Sequence, residues 1–285
     1  MQKNNFRSIS KIARNIGVAI SIASIFLLGK STQAQINLSP LLIDVDAKAD
    51  KARGVIDIRN SSNNEFRARI YAEPFTYDSN YGFKTLTASP SDIRPYLQFS
   101  PQEVNLPKGG LRKVRMTVDL PPNLPDGEYR AMIFTEPLVD LYNKTRGTAL
   151  VNRIGSAFYV SKGNIKPNLK IDSLTWNKNT NKLQLLVKNS GKASTQTTTT
   201  WSASQGGKVV RTGDSLSTTV IAEGDRQLFL QTSPSDPAPL APGIYEVSGK
   251  LTAGQGKKQT QNFNFTVTVL PIDKKISGNR LLSKP

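Results

Sequence analysis

The amino-acid sequence predicts an all-β chain: two β-sandwich domains joined by a short linker, preceded by a signal peptide. Three observations predict it. Apolar and polar residues alternate in short runs bounded by Pro, Gly, Asn and Ser, and no amphipathic helical period runs through the mature region. The 285 residues amount to two domains of about 100 to 150 residues each. A short motif also recurs, with Leu124-Pro125-Asp126-Gly127-Glu128-Tyr129 matching Leu240-Ala241-Pro242-Gly243-Ile244-Tyr245 at an offset of 116 residues.

At the N-terminus, Lys3, Arg7, Lys11 and Arg14 precede an apolar run over 16–28, and Thr32-Gln33-Ala34 supplies small residues for cleavage after Ala34. A basic start, a short apolar run and a small-residue cut predict a signal peptide over 1–34, and hence an exported, periplasmic protein.

The first domain is predicted over 35–162. Leu41, Ile43 and Val45 alternate with Leu42, Asp44 and Asp46, and Ile56 and Ile58 flank Asp57. Phe66, Ala68, Ile70 and Ala72 share one face, opposite Arg67, Arg69 and Tyr71. Val114, Met116, Val118 and Leu120 alternate with Lys113, Arg115, Thr117 and Asp119. Each pattern is that of a strand with one face on a core and one in water. The Pro-rich turn over 121–127 leads into a strand over 128–136, and runs at 96–99, 103–106 and 149–160 complete the sandwich.

The second domain is predicted over 163–270, with strands at 169–176, 182–189, 195–202, 208–211, 226–231, 244–252 and 259–270. Phe263, Phe265, Val267 and Val269 give its cleanest alternation. In each copy of the recurring motif a Tyr sits at the turn opening the penultimate strand, where immunoglobulin-like sandwiches place a Tyr whose hydroxyl bonds back to the corner. A second echo pairs Ile58-Arg59-Asn60-Ser61 with Val187-Lys188-Asn189-Ser190. Both predict a duplicated immunoglobulin-like fold. The segment 161–168 is the expected linker, and 271–285, with Lys274, Lys275, Arg280 and Lys284, a basic mobile tail.

Composition then narrows the chemistry. The chain has no His and no Cys, which removes imidazole acid/base catalysis, thiol nucleophiles, zinc knuckles and disulfides. No phosphate-binding loop and no nucleophile elbow is present. Asp44 and Asp46 read as solvated side chains rather than metal ligands, and Asp126 and Glu128 as turn formers rather than an acid/base pair. A non-enzymatic binding protein without cofactor or metal is expected. The formal charge of +17 is uneven: 1–34 carries +5, 35–161 carries +2 and 162–285 carries +10. The basic residues of the second half are scattered singly without interleaved aromatics, so no nucleic-acid partner is expected, whereas an anionic envelope surface would suit them.

The first half resembles the N-terminal domain of PapD-like periplasmic pilus chaperones, which consist of two immunoglobulin-like domains. The resemblance rests on Ile56-Asp57-Ile58-Arg59-Asn60-Ser61, on Phe99-Ser100-Pro101-Gln102-Glu103-Val104-Asn105-Leu106-Pro107-Lys108-Gly109 and on Val114-Arg115-Met116. It continues through Pro125-Asp126-Gly127-Glu128-Tyr129-Arg130 and Ala149-Leu150-Val151-Asn152-Arg153-Ile154. It implies donor-strand complementation, in which the last N-domain strand is lent to a subunit that lacks one, and its main chain covers an open sheet edge. The resemblance places client-strand pairing at Leu141, Ala149, Leu150, Val151 and Ile154. It places at Arg153 one of two basic residues that hold the client's C-terminal carboxylate in the interdomain cleft. The matching first-strand base is missing, because 38–45 contains no Lys or Arg.

The expected function is therefore that of a periplasmic molecular chaperone for pilus assembly. Its partners would be partly folded envelope or pilus-like subunits, with an outer-membrane usher as a further one. The alternative is a structural or adhesive cell-envelope protein that holds an anionic surface polymer through its basic C-terminal half.

Overall fold

The computed structural model describes residues 36–79, 82–138, 153–235, 237–254 and 259–271. The predicted signal peptide, and the predicted tail beyond Pro271, lie outside them.

The described chain is all-β apart from a single 3-10 turn at Arg94–Tyr96. Strands β1 (Ile36–Ser39), β3 (Lys51–Asn60), β9 (Leu111–Asp119) and β7 (Leu97–Ser100) make one sheet in the order β1-β3-β9-β7. Facing it are β2 (Leu42–Asp46), β11 (Ile154–Lys162), β10 (Gly127–Leu138), β4 (Phe66–Glu73) and β8 (Glu103–Leu106), in the order β2-β11-β10-β4-β8. Pro40 separates β1 from β2, and at that point the chain crosses from one sheet to the other, so that β2 runs parallel to β11. Alternate residues of both sheets meet between them. Ile56 and Ile58 of β3, Val114 and Met116 of β9, Ala131 and Ile133 of β10, and Phe158 and Val160 of β11 are all buried in one cluster. This is the period of two that the sequence carries, and burying each large side chain contributes about 1.5 to 3 kcal/mol.

β10 departs from that alternation, because both of its faces are covered from Glu128 to Thr135. A hairpin of β5 (Phe75–Asp78) and β6 (Gly82–Thr85) folds across the outer face of its sheet. There Phe75, Met132, Phe134, Ala157 and Tyr159 bury one another in a separate small cluster. The hairpin is absent from the sequence-based expectation because Gly82-Phe83-Lys84-Thr85 carries a single large apolar side chain, so no alternation marks its second strand.

The second unit comprises β12 (Leu169–Asn177), β13 (Lys182–Asn189), β14 (Thr195–Gln205), β15 (Lys208–Ser215), β16 (Thr218–Val220), β17 (Gly224–Thr232), β18 (Gly243–Ala253) and β19 (Gln259–Val269). Its two layers are one continuous antiparallel sheet, β12-β13-β17-β15-β14-β18-β19, with β16 also paired to β14. The sheet rolls over until its ends meet, and the Gln261 side-chain amide donates to the Leu169 carbonyl at 2.7 Å. Register shifts at Ile171/Ser173 and Ala203/Ser204 supply local bends. Leu185, Val187, Ala203, Val220 and Val247 lie fully buried inside.

The two short echoes in the sequence mark equivalent structures. Tyr129 donates to the Pro125 carbonyl and Tyr245 to the Ala241 carbonyl, each at 2.8 Å, forming a tyrosine corner in each unit. Asn60 donates to the carbonyls of Asn64, Leu106 and Pro107, while Asn189 donates to those of Ala193, Val220 and Ile221. Each Asn oxygen accepts the amide of the residue two further on, Ser62 or Gly191. A buried asparagine thus ties its own turn to a second, distant chain segment at the same place in both units.

Candidate functional site

The last strand of the first unit has an edge that is only partly covered. β10 pairs with the whole length of β11, from Gly127↔Lys162 to Thr135↔Ile154. On the other side β2 pairs only from Leu42↔Ala157 to Asp46↔Ser161. The Ala157 amide donates to the Leu41 carbonyl at 2.9 Å, which shows that the polar main-chain groups of Ala157 point toward β2. Successive residues of a strand present these groups to opposite sides. Gly155, two residues earlier, therefore presents its N–H and C=O to the same side as Ala157, beyond the end of β2. Among the described residues no strand pairs with it there. A free edge of this kind is a template for an added strand.

Of the pairing residues expected from sequence, Leu141, Ala149, Leu150 and Val151 lie outside the described residues. Ile154 opens β11 and packs half-buried against the first unit's own core. Arg153 precedes it. Its guanidinium donates to the Tyr71 hydroxyl at 3.0 Å and to the Glu73 carboxylate at 3.1 Å, and lies 4.0 Å from the centre of the Phe134 ring. The Tyr71 hydrogen bond raises the Arg153 pKa further above its ordinary value, against the opposing effect of burial. Beside it Glu136 accepts from Tyr71 at 2.6 Å and from Arg69 at 3.1 Å, and the Tyr71 bond in particular holds the Glu136 carboxyl below its usual range. Gly155 lets these groups approach, because a Cβ there would stand 2.6 Å from the Met132 sulfur and 3.2 Å from the Phe134 ring. The start of the free edge is thereby held flat against its sheet by a stack of arginine, phenylalanine and tyrosine.

The other end of β11 enters the junction between the units. Tyr159 of β11 and Asp44 of β2 are register partners, about 20 Å along the strand from Arg153 at ~3.3 Å per residue. Glu128 and Arg130 of β10, with side chains 2% and 7% exposed, pair at 2.9 Å. Glu128 also accepts the Ser194 amide and the Ser194 hydroxyl, both at 2.6 Å, and the same hydroxyl receives the Ala222 amide at 2.9 Å. Glu128, which reads in the sequence as a turn former, instead connects the two units. The signal that could have found it is its neighbour: the sequence offers Arg130 two residues away on the same face of one strand. On the hairpin, the Tyr77 ring lies 4.1 Å beneath the Arg226 guanidinium of β17, a second contact between the units. Lys162, almost fully buried, pairs with Asp50 at 2.8 Å and donates to the carbonyls of Pro121 and Pro122, fixing the start of the linker.

Between the units is a cleft of about 290 Å³ whose walls include Leu42, Asp44, Tyr159, Ser194, Gln196 and Gln259. Asp44 stays open to solvent, yet the surrounding walls and the charges of Glu128 and Asp46 push its pKa up to about 6. Burial is the larger cause. Tyr159 is 1% exposed, and burial raises its pKa well above normal.

No protein-family model matches the chain, and no curated protein is similar to it. Among solved structures it is similar to the class 5 fimbriae chaperone CfaA, with 13% identity and a TM-score of 0.45 over 83% of this chain and 100% of that one. It is likewise similar to a chain of the Salmonella enterica SafA pilin–SafB chaperone complex, with 13% identity and a TM-score of 0.46 over 83% and 98% of the two chains. The Pseudomonas aeruginosa CupB2 chaperone is similar at 12% identity and a TM-score of 0.44, over 79% and 98%.

Proposed function

We propose that the protein is a periplasmic chaperone that captures partly folded, β-rich envelope or pilus-like subunits by pairing a client strand with the edge of β11. The observation that carries this reading is the stepped end of β2. It covers β11 from Ala157 onward and leaves the main chain at Gly155 without a partner among the described residues. An added strand would gain hydrogen bonds there, and apolar residues before the step would fill an incomplete sandwich. In this reading Leu141, Ala149, Leu150 and Val151 supply that apolar contact and Ile154 anchors the strand to its own domain. Arg153 serves as a carboxylate anchor only by exchanging Glu73 for the client's carboxylate, since Glu73 holds it in the free protein.

The predicted export signal places this activity in the periplasm, and the pilus chaperones to which the chain is similar make a pilin-like subunit the natural client. The adhesive alternative rests on the +10 charge of residues 162–285 alone. Co-expression of the mature chain with candidate envelope subunits, followed by purification and mass spectrometry, tests the proposal. A stoichiometric β-rich client is expected, and Arg153→Glu should weaken its capture. Recovery of the chaperone alone from cells making such subunits would contradict the reading.

A further inference from the structure

At the junction, β2 and β11 present Asp44 and Tyr159 side by side to the cleft between the units. Among the described residues no cation pairs with Asp44. The Tyr159 hydroxyl, although buried, makes no hydrogen bond there. The Tyr77 phenol comes near enough to raise its pKa further without reaching bonding geometry. Among the described residues the second unit contributes no charged side chain to this wall, which it lines with Pro167, Ser194, Thr195, Thr219, Ala253 and Gln259. Of the nearby positive charges, Arg130 pairs with Glu128 and Arg226 lies over the Tyr77 ring, and each keeps one buried nitrogen, Nε of Arg130 and Nη1 of Arg226, without a hydrogen-bond partner among the described residues. What the cleft offers a visitor is the open Asp44 carboxylate, with the unsatisfied Tyr159 phenol behind it in the wall and the neutral side chains of Thr219 and Gln259 in the lining.

We propose that this cleft is a binding site for a primary ammonium group, supplied by a lysine side chain of the captured subunit. An ammonium brings three donors and one positive charge, which meet the carboxylate, the phenol oxygen and a neutral oxygen of the second unit. A carboxylate in the same place would face Asp44 with Glu128 and Asp46 behind it, and would be repelled. The raised Asp44 pKa fits a carboxylate kept short of cationic partners, and an arriving ammonium would lower it. The inference rests on the subunit-capture reading for its client, but its chemistry is tested without one.

The test is an NMR titration of the mature two-domain protein with n-butylammonium, using n-pentanol as the neutral control. Saturable shifts are expected at the amides of Asp44, Ser194 and Gln259 with the ammonium and not with the alcohol. Asp44→Asn should weaken the ammonium at least tenfold. Binding to the unaltered protein should strengthen as pH rises from 5 to 7.5 and Asp44 ionises. The other groups facing it are Asp46, Glu128, Arg130, Arg226, Tyr77 and Tyr159, and Asp44→Asn should abolish the pH dependence if they take no part in it. Two peptides separate the sources of the ammonium: an N-acetylated peptide with one internal lysine should bind, and a lysine-free peptide with a free N-terminus should not. Shifts produced equally by the alcohol, stronger binding of acetate at the same amides, or Asp44→Asn binding n-butylammonium unchanged would each overturn the assignment. Failure of this titration leaves edge capture standing, whereas failure of capture with intact ammonium binding removes only the client.

Discussion

Asn60 and Asn189 show how much a single buried side chain can hold. Each is itself buried, donates to three carbonyls and accepts at least one amide. Asn60→Ala should therefore cost about 3 kcal/mol or more, while Tyr129→Phe, which removes one hydrogen bond, should cost about 1 kcal/mol. Chemical denaturation of the two variants separates these values, and equal losses would show that the asparagine is not a tie. Both positions stand out in the sequence as short repeats, because turn chemistry is local. The work of Glu128 is not visible there, because its partner Ser194 is 66 residues away and nothing in either segment specifies the other. At Asp44 the charge is plain from sequence and its surroundings are not. The folded carboxyl is harder to ionise than the unfolded one, so its unfavourable contribution is absent below pH 3.8 and complete above about 6. Stability should thus fall as pH rises through that window, and Asp44→Asn should remove that component of the slope. Thermal melts of both proteins across pH 4 to 7 provide the check; parallel slopes would contradict the assignment.

Among the elements, strands that bury one face follow from alternation, the four-residue β8 included. β3, β9 and β19 are each evident as one apolar face repeating every second residue, because each has water on the other side. β10 breaks the pattern by being covered on both faces, and the second strand of the hairpin that covers it carries too few apolar residues to show an alternation of its own. That hairpin has two consequences for β11. It shields Tyr159 through Phe75, whose ring meets it edge-on at a centroid distance of 5.7 Å, and it brings Tyr77 against Arg226. The free edge at Gly155 depends on close packing as well. Gly155→Val would drive a side chain into Met132 and Phe134, displacing the Arg153 stack and costing about 1 to 3 kcal/mol. Arg153 should then lose its contact with Phe134. Loss of the ring-current shift on the Arg153 side-chain protons would report this by NMR, and an unchanged shift would show that the strand end is held by other means.

For the whole molecule, the central question is what the stepped edge of β11 and the cleft do together. One strand, β11, runs from the free edge to the junction, so a client strand laid beside Gly155 would be continuous in direction with the cleft at Tyr159 and Asp44. Glu128 holds the second unit at that junction. Replacing it by Ala leaves Arg130 buried without its carboxylate, a loss of about 3 to 5 kcal/mol, and should uncouple the units into two separate calorimetric transitions. A single unchanged transition would contradict its bridging role. Edge capture is tested most directly by amide hydrogen exchange at Gly155 and Ala157, measured in the free protein and in the purified client complex. Fast exchange at Gly155 in the free protein and strong protection in the complex are expected, with Ala157 protected in both by its bond to Leu41. A stable complex in which Gly155 still exchanges at the free rate would contradict edge capture.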